Sequence, residues 1–154
     1  MDRLRASTAP FKLLVCGSGW TLQKGPTGDS WSAFKTARDQ LFADIIDRGI
    51  QGVVLVSGDT HLGELNVIRL SERGGYDLYE LVSSPLAQRP NARDRPMIGN
   101  EARIRPGYRL SPNVGLIDFD MEADDPTLTF TLVDVWGRDV WDPFVLRASD
   151  LVMP

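Results

Sequence analysis

Residues 12–16, Lys-Leu-Leu-Val-Cys, form a short apolar run closed by Gly17-Ser18-Gly19, the pattern of a buried strand that ends in a tight loop. Residues 2–6 ahead of it read as the tail of a helix. Gly25-Pro26-Thr27-Gly28-Asp29 is turn chemistry, and Asp29 or Ser30 is placed to cap a helix over 31–48. In that helix Phe34, Ala37, Leu41 and Ile45 recur at three- and four-residue steps, and Gly49 supplies the expected stop. Residues 52–58, Gly-Val-Val-Leu-Val-Ser-Gly, are an unbroken apolar run of the kind found in a strand covered on both faces. Strand, helix and strand in this order predict a βαβ unit.

Residues 64–70 and 76–82 flank Ser71-Glu72-Arg73-Gly74-Gly75 and predict a hairpin. Residues 83–112 have no period and are rich in Pro, Arg and Asn, so 86–112 is expected to be a long irregular arginine-rich loop. Three further strands are expected at 114–120, 127–136 and 140–146. The fold class is therefore α/β, a mixed sheet ending in an antiparallel meander, within one domain over 1–154. Composition agrees, with 42% hydrophobic and 25% charged residues. A net charge of −4 argues against nucleic acid binding by bulk charge. The single cysteine, Cys16, excludes an internal disulfide. No apolar run approaches the ~20 residues that span a bilayer, and the first eight residues contain no apolar segment of the signal-peptide kind.

Candidate chemistry concentrates in Ser57-Gly58-Asp59-Thr60-His61, at the carboxyl end of the most buried strand, where open α/β sheets bind ligands. A carboxylate and an imidazole two residues apart can turn toward one point, and oxygen with nitrogen suits zinc, iron or manganese. The competing reading is a hydrogen-bonded structural histidine, because His61 is the only one in the chain and two donors fall short of the three or four a metal site needs. Gly17-Ser18-Gly19-Trp20 misses the phosphate-loop and dinucleotide patterns. Cys16 reads as a small buried hydrophobe, and Trp20, Trp31, Trp136 and Trp141 as core or rim aromatics. The arginines at 89, 93, 95, 103, 105 and 109 would clamp a phosphoryl group if turned inward, but a solvated or salt-bridged loop is the expectation favoured by composition.

The string from Val53 to His61, followed by Tyr79-Glu80-Leu81-Val82-Ser83-Ser84-Pro85-Leu86, resembles the carboxy-terminal half of the PhoD-like alkaline phosphatases. These belong to the calcineurin-like metallophosphoesterases. Asp29-Ser30-Trp31-Ser32-Ala33-Phe34 is similar to the family's Asp-x-Trp segment, and Asn113-Val114-Gly115-Leu116-Ile117-Asp118 to its closing strands. The resemblance implies an α/β sandwich and hydrolysis of a phosphate monoester or diester. It also implies two divalent or trivalent metal ions in the full-length protein, with iron, calcium, zinc and manganese as candidates. His61 would be a metal ligand, and Asp59 a ligand or the partner of one. The family's other ligand motifs precede the strand at 12–16, ahead of which this chain has only eleven residues. The expectation is a carboxy-terminal half that is inactive alone. It would expose 53–56 and 114–117 and require its amino-terminal half or self-association through that sheet. The alternative is a non-catalytic α/β binding or assembly module, in which Asp59 and His61 hydrogen-bond across a loop.

Overall fold

In the computed structural model, which describes residues 1–21, 28–91 and 102–154, the apolar run ahead of Gly58 is strand β2 (Val53–Ser57). It lies parallel to β1 (Lys12–Val15) on one side and to β4 (Leu78–Val82) on the other. Strand β3 (Glu64–Ile68) pairs antiparallel with β4, giving the order β1-β2-β4-β3. The turn between β3 and β4 holds a short 3-10 segment, Ser71–Arg73, and Gly74 at φ +85°. A left-handed residue there suits glycine, which has no Cβ to clash.

A short helix α1 (Asp2–Ala6) precedes β1. Between β1 and β2 a 3-10 turn (Trp31–Phe34) leads into helix α2 (Lys35–Asp47), completing the βαβ unit. The helix buries the second half of the stripe its spacing predicts, Ile45 fully and Leu41 in part, but not the first half. Phe34 is 64% exposed and Ala37 is exposed, whereas Phe42 and Ile45 are buried. A 3-10 turn advances about 120° per residue against about 100° in an α-helix, so Phe34 falls out of phase with the face that follows. Arg38 supports that face, donating to the Trp20 carbonyl at 3.0 Å and lying over the Phe42 ring.

A second sheet is the meander β5 (Asn113–Asp120), β6 (Thr127–Asp134) and β7 (Phe144–Arg147), all antiparallel. In β6 every second residue, Leu128, Phe130, Leu132 and Asp134, is buried. The last strand starts at Phe144 rather than 140. Val140 keeps one backbone bond to Leu132, and Pro143, which has no N–H, separates it from the ladder. The sheets pack face to face through Tyr79 on Phe144 and Phe11 on Phe119. Glycines stand where they meet. A Cβ on Gly63 would overlap Leu132, and one on Gly115 would lie 3.1 Å from Ser83 Cβ and, within its own sheet, 2.7 Å from Phe130.

The exposed apolar strands are not the pair expected. Val53, Val54 and Leu55 are fully buried, because β2 sits inside its sheet between the helical layer and the meander. Exposure falls on β5, as expected of 114–117, and on β1 in place of β2. Leu13 and Val15 of β1 are 36% and 71% exposed, and Val114 and Leu116 of β5 are 40% and 47% exposed. Among the described residues no helix is long and apolar enough to cross a membrane.

Because Gly115 marks an inter-sheet contact, Gly115→Ala is expected to destabilise the fold by about 1–3 kcal/mol through overpacking. The check is urea unfolding, in which the midpoint falls and the slope is unchanged.

Candidate metal centre

Since β1, β2 and β4 are parallel, their carboxyl ends reach one pole of the molecule, and β3 and β5 begin there. The three loops converge at Gly58, where a Cβ would stand 3.4 Å from the Ser83 carbonyl oxygen and 4.0 Å from that of Gly17. Asp59 and His61 follow on a loop in which both adopt left-handed backbone, φ +60° and +56°. That conformation costs a residue with a Cβ about 1–2 kcal/mol, so the surroundings must impose it. Thr60, buried between them, turns its hydroxyl onto both the N–H and the carbonyl of Leu62. The His61 N–H donates to Ser84 Oγ at 3.1 Å, and its carbonyl accepts from the Asn91 N–H at 2.9 Å. Asp59 is exposed and His61 half-buried. Among the described residues the imidazole makes no hydrogen bond.

The Ser83-Ser84-Pro85 segment is fixed from the opposite sheet. Asn113 Oδ1 accepts from the Ser84 N–H and from Ser83 Oγ, both at 3.1 Å, while its Nδ2 donates to the Ser84 carbonyl at 2.8 Å. The Asn113 N–H donates to the Pro85 carbonyl at 2.9 Å.

Two buried glutamates below this pole went unnoticed in the sequence reading. Glu80 accepts from the N–H groups of Trp20 and Thr21, from the Thr21 and Ser57 hydroxyls, and from Asn66 Nδ2. Glu64 is ion-paired with Arg103, and its Oε2 has no hydrogen-bond partner among the described residues. A signal was available, since Glu80 and Asn66 are lone polar residues inside apolar strands. Burial pushes the Glu64 carboxyl above its ordinary value, outweighing the opposing pull of the Arg103 guanidinium.

Of the arginines in the irregular segment, Arg103 turns inward to Glu64, so its role is structural. Arg93 and Arg95, like the expected turn at 25–27, lie outside the described residues. Residues 86–91 and 102–112 contain no helix or strand, but Arg103 and Tyr108 bridge to Asn66 and Gly63 and run the segment along β3. Cys16 is half-buried, and its Sγ accepts from Trp31 Nε1 at 3.4 Å. Trp31 also stacks on buried Trp20 with centroids 4.7 Å apart, while Trp136 is 65% exposed beneath the Arg138 guanidinium.

A carboxylate together with an imidazole is the donor chemistry a borderline cation takes. Among the described residues, however, no three His, Cys, Asp or Glu side chains come together. Two donors alone fall short of the three or four that a metal site needs.

Helix α2, a mixed four-stranded sheet and an antiparallel meander define an α/β fold in which two sheets pack face to face. No protein-family model matches the chain, and no curated protein does. Among solved structures it is similar to that of PhoD, with a TM-score of 0.58 and 14% identity over 91% of this chain. The match covers 33% of PhoD, so the chain has the fold of part of that protein and spans about a third of its length.

Glu64 gives this region a pH dependence. The folded protein holds the Glu64 proton more tightly than the unfolded chain does. The stability it contributes is full below its ordinary pKa of 4.5 and is lost as pH rises through the raised folded value. In urea melts from pH 4 upward, Glu64→Gln is expected to lack that decline, so the difference between the two proteins changes across this window.

Proposed function

We propose that this chain forms part of a metal-dependent phosphoric ester hydrolase of the PhoD kind, in which Asp59 and His61 are metal ligands completed by donors outside the described residues. The observation that carries this reading is the place of the two residues in the chain. They follow β2 at the carboxyl pole of the sheet in a chain whose fold matches part of PhoD. Bound metal would neutralise charge on phosphoryl oxygens and activate a water molecule toward phosphorus. The chain's own contribution is to supply donors, an imidazole nitrogen from His61 and carboxylate oxygens from Asp59. The substrate class is a phosphate monoester or diester, and the ions are two in the complete enzyme, drawn from iron, calcium, zinc and manganese.

The exposed apolar residues of β1 and β5 are where the remaining structure would pack, whether an amino-terminal half or a second copy. Leu13, Val15, Val114 and Leu116 stay partly in water without it, at about 25 cal/mol for each Å² of apolar area. A second reading is a non-catalytic binding or assembly module, favoured by the lack of a third clustered donor among the described residues.

Calorimetric titration with Zn²⁺ and Mn²⁺ separates the two. The enzyme reading expects weak binding that His61→Ala abolishes and Asp59→Ala weakens, and no binding by the wild-type chain would remove it. The chain alone is expected to hydrolyse p-nitrophenyl phosphate no faster than His61→Ala. Metal-dependent turnover lost in that variant would place the whole site within this chain. Sedimentation is expected to show self-association at micromolar concentration, whereas a stable monomer with a cooperative melt would refute the partner argument.

A further inference from the structure

The left-handed backbone at His61 is held by contacts rather than by residue type, since histidine has a Cβ and gains nothing from φ +56°. Its N–H is fixed by Ser84 Oγ. Ser84 is 5% exposed, and its own backbone is bracketed on both sides by one amide, Asn113, itself 4% exposed. That bracket needs an acceptor and a donor on one planar group, a demand that aspartate and leucine, although similar in shape, cannot meet. Asn113 is in turn anchored in the other sheet, as the first residue of β5, in register with Asp134. A Cβ on Gly63 would stand 3.3 Å from Asn113 Oδ1, so the same amide also borders the far end of the His61 loop.

We propose that Asn113 is a positioning residue for His61, acting through Ser84. By clamping the Ser84 peptide it sets where the Ser84 hydroxyl stands, and that hydroxyl sets the backbone from which the imidazole projects. The consequence for metal affinity rests on the ligand reading above, whereas the backbone consequence does not.

Because His61 is the only histidine, its imidazole nitrogens give a single, unambiguous set of NMR signals. The test records, in the metal-free chain, the His61 amide shift and its HN–Hα coupling, which reports φ, and then follows the imidazole signals through a Zn²⁺ titration. Asn113→Ala and Ser84→Ala are expected to change the coupling and amide shift and to weaken Zn²⁺ binding by about 10–100-fold, the range for groups that orient a ligand. Tyr76→Phe is the control for destabilisation alone. It removes bonds to the Val53 N–H and the Ile50 carbonyl, at the opposite ends of the strands, and is expected to leave both readouts unchanged. A folded Asn113→Ala whose His61 coupling and shifts match wild type overturns the proposal, as does a Tyr76→Phe that alters them equally. Should wild type show no response to Zn²⁺, the ligand reading fails while the metal-free coupling still decides the positioning role. Should Asn113→Ala not fold, Ser84→Ala, which removes only a hydroxyl, decides by the same readouts.

Discussion

The carboxylate of Glu80 is the point on which the rest of the structure hangs. It is completely buried, and every group it accepts from is a neutral donor. Removing a carboxylate from water is costly unless hydrogen bonds replace its hydration, and here they come from three separate stretches of chain. Trp20 and Thr21 belong to the loop after β1, Ser57 ends β2, and Asn66 lies in β3. One side chain on β4 thus fixes both of its neighbours in the sheet and the loop beyond them. Bonds to a charged group are about twice as strong as neutral ones, so the arrangement is stiff as well as satisfied.

That stiffness matters because the candidate site is carried on a loop held through its backbone. Ser57, bonded to Glu80, is the last residue before Gly58, Asp59, Thr60 and His61. With its start held from below, the loop is determined at its far end by Ser84 and Asn91, and between these anchors Thr60 folds it onto Leu62. Two adverse left-handed residues persist only in such an over-determined setting. Order passes from a buried side chain, through strand ends, to the backbone of Asp59 and His61.

The sequence exposed the parts of this chain governed by local pattern. The βαβ unit followed from two apolar runs around a helical spacing, and the β3–β4 hairpin from Gly74-Gly75 between them. The pole holding Asp59 and His61 followed from their place after the most apolar run. What stayed hidden depends on partners distant in sequence. Glu80 reads as an ordinary charged residue until Trp20, Thr21, Ser57 and Asn66 are brought around it, and Asn113 as an ordinary strand opener until Ser84 faces it. Left-handed φ at Asp59 and His61 leaves no trace, because neither is glycine. The apolar string 53–56 reads alike whether covered or bare, and its burial comes from its place inside the sheet, while of the two edge strands β3 is covered by residues 102–108 and β1 is partly exposed.

The clasp between Ser84 and Asn113 also closes a neck. The chain leaves the sheet at Ser84 and returns at Asn113, and these two residues are joined to each other by hydrogen bonds. Everything between is an excursion whose ends are tied independently of its length. Closing a longer excursion costs only about 0.6 kcal/mol per doubling, so the clasp sets little limit on the length between its ends. A protein built this way can vary the surface beside its site only where that surface touches neither β3 nor the His61 loop, because Asn91, Arg103 and Tyr108 tie the rest of the excursion to the scaffold.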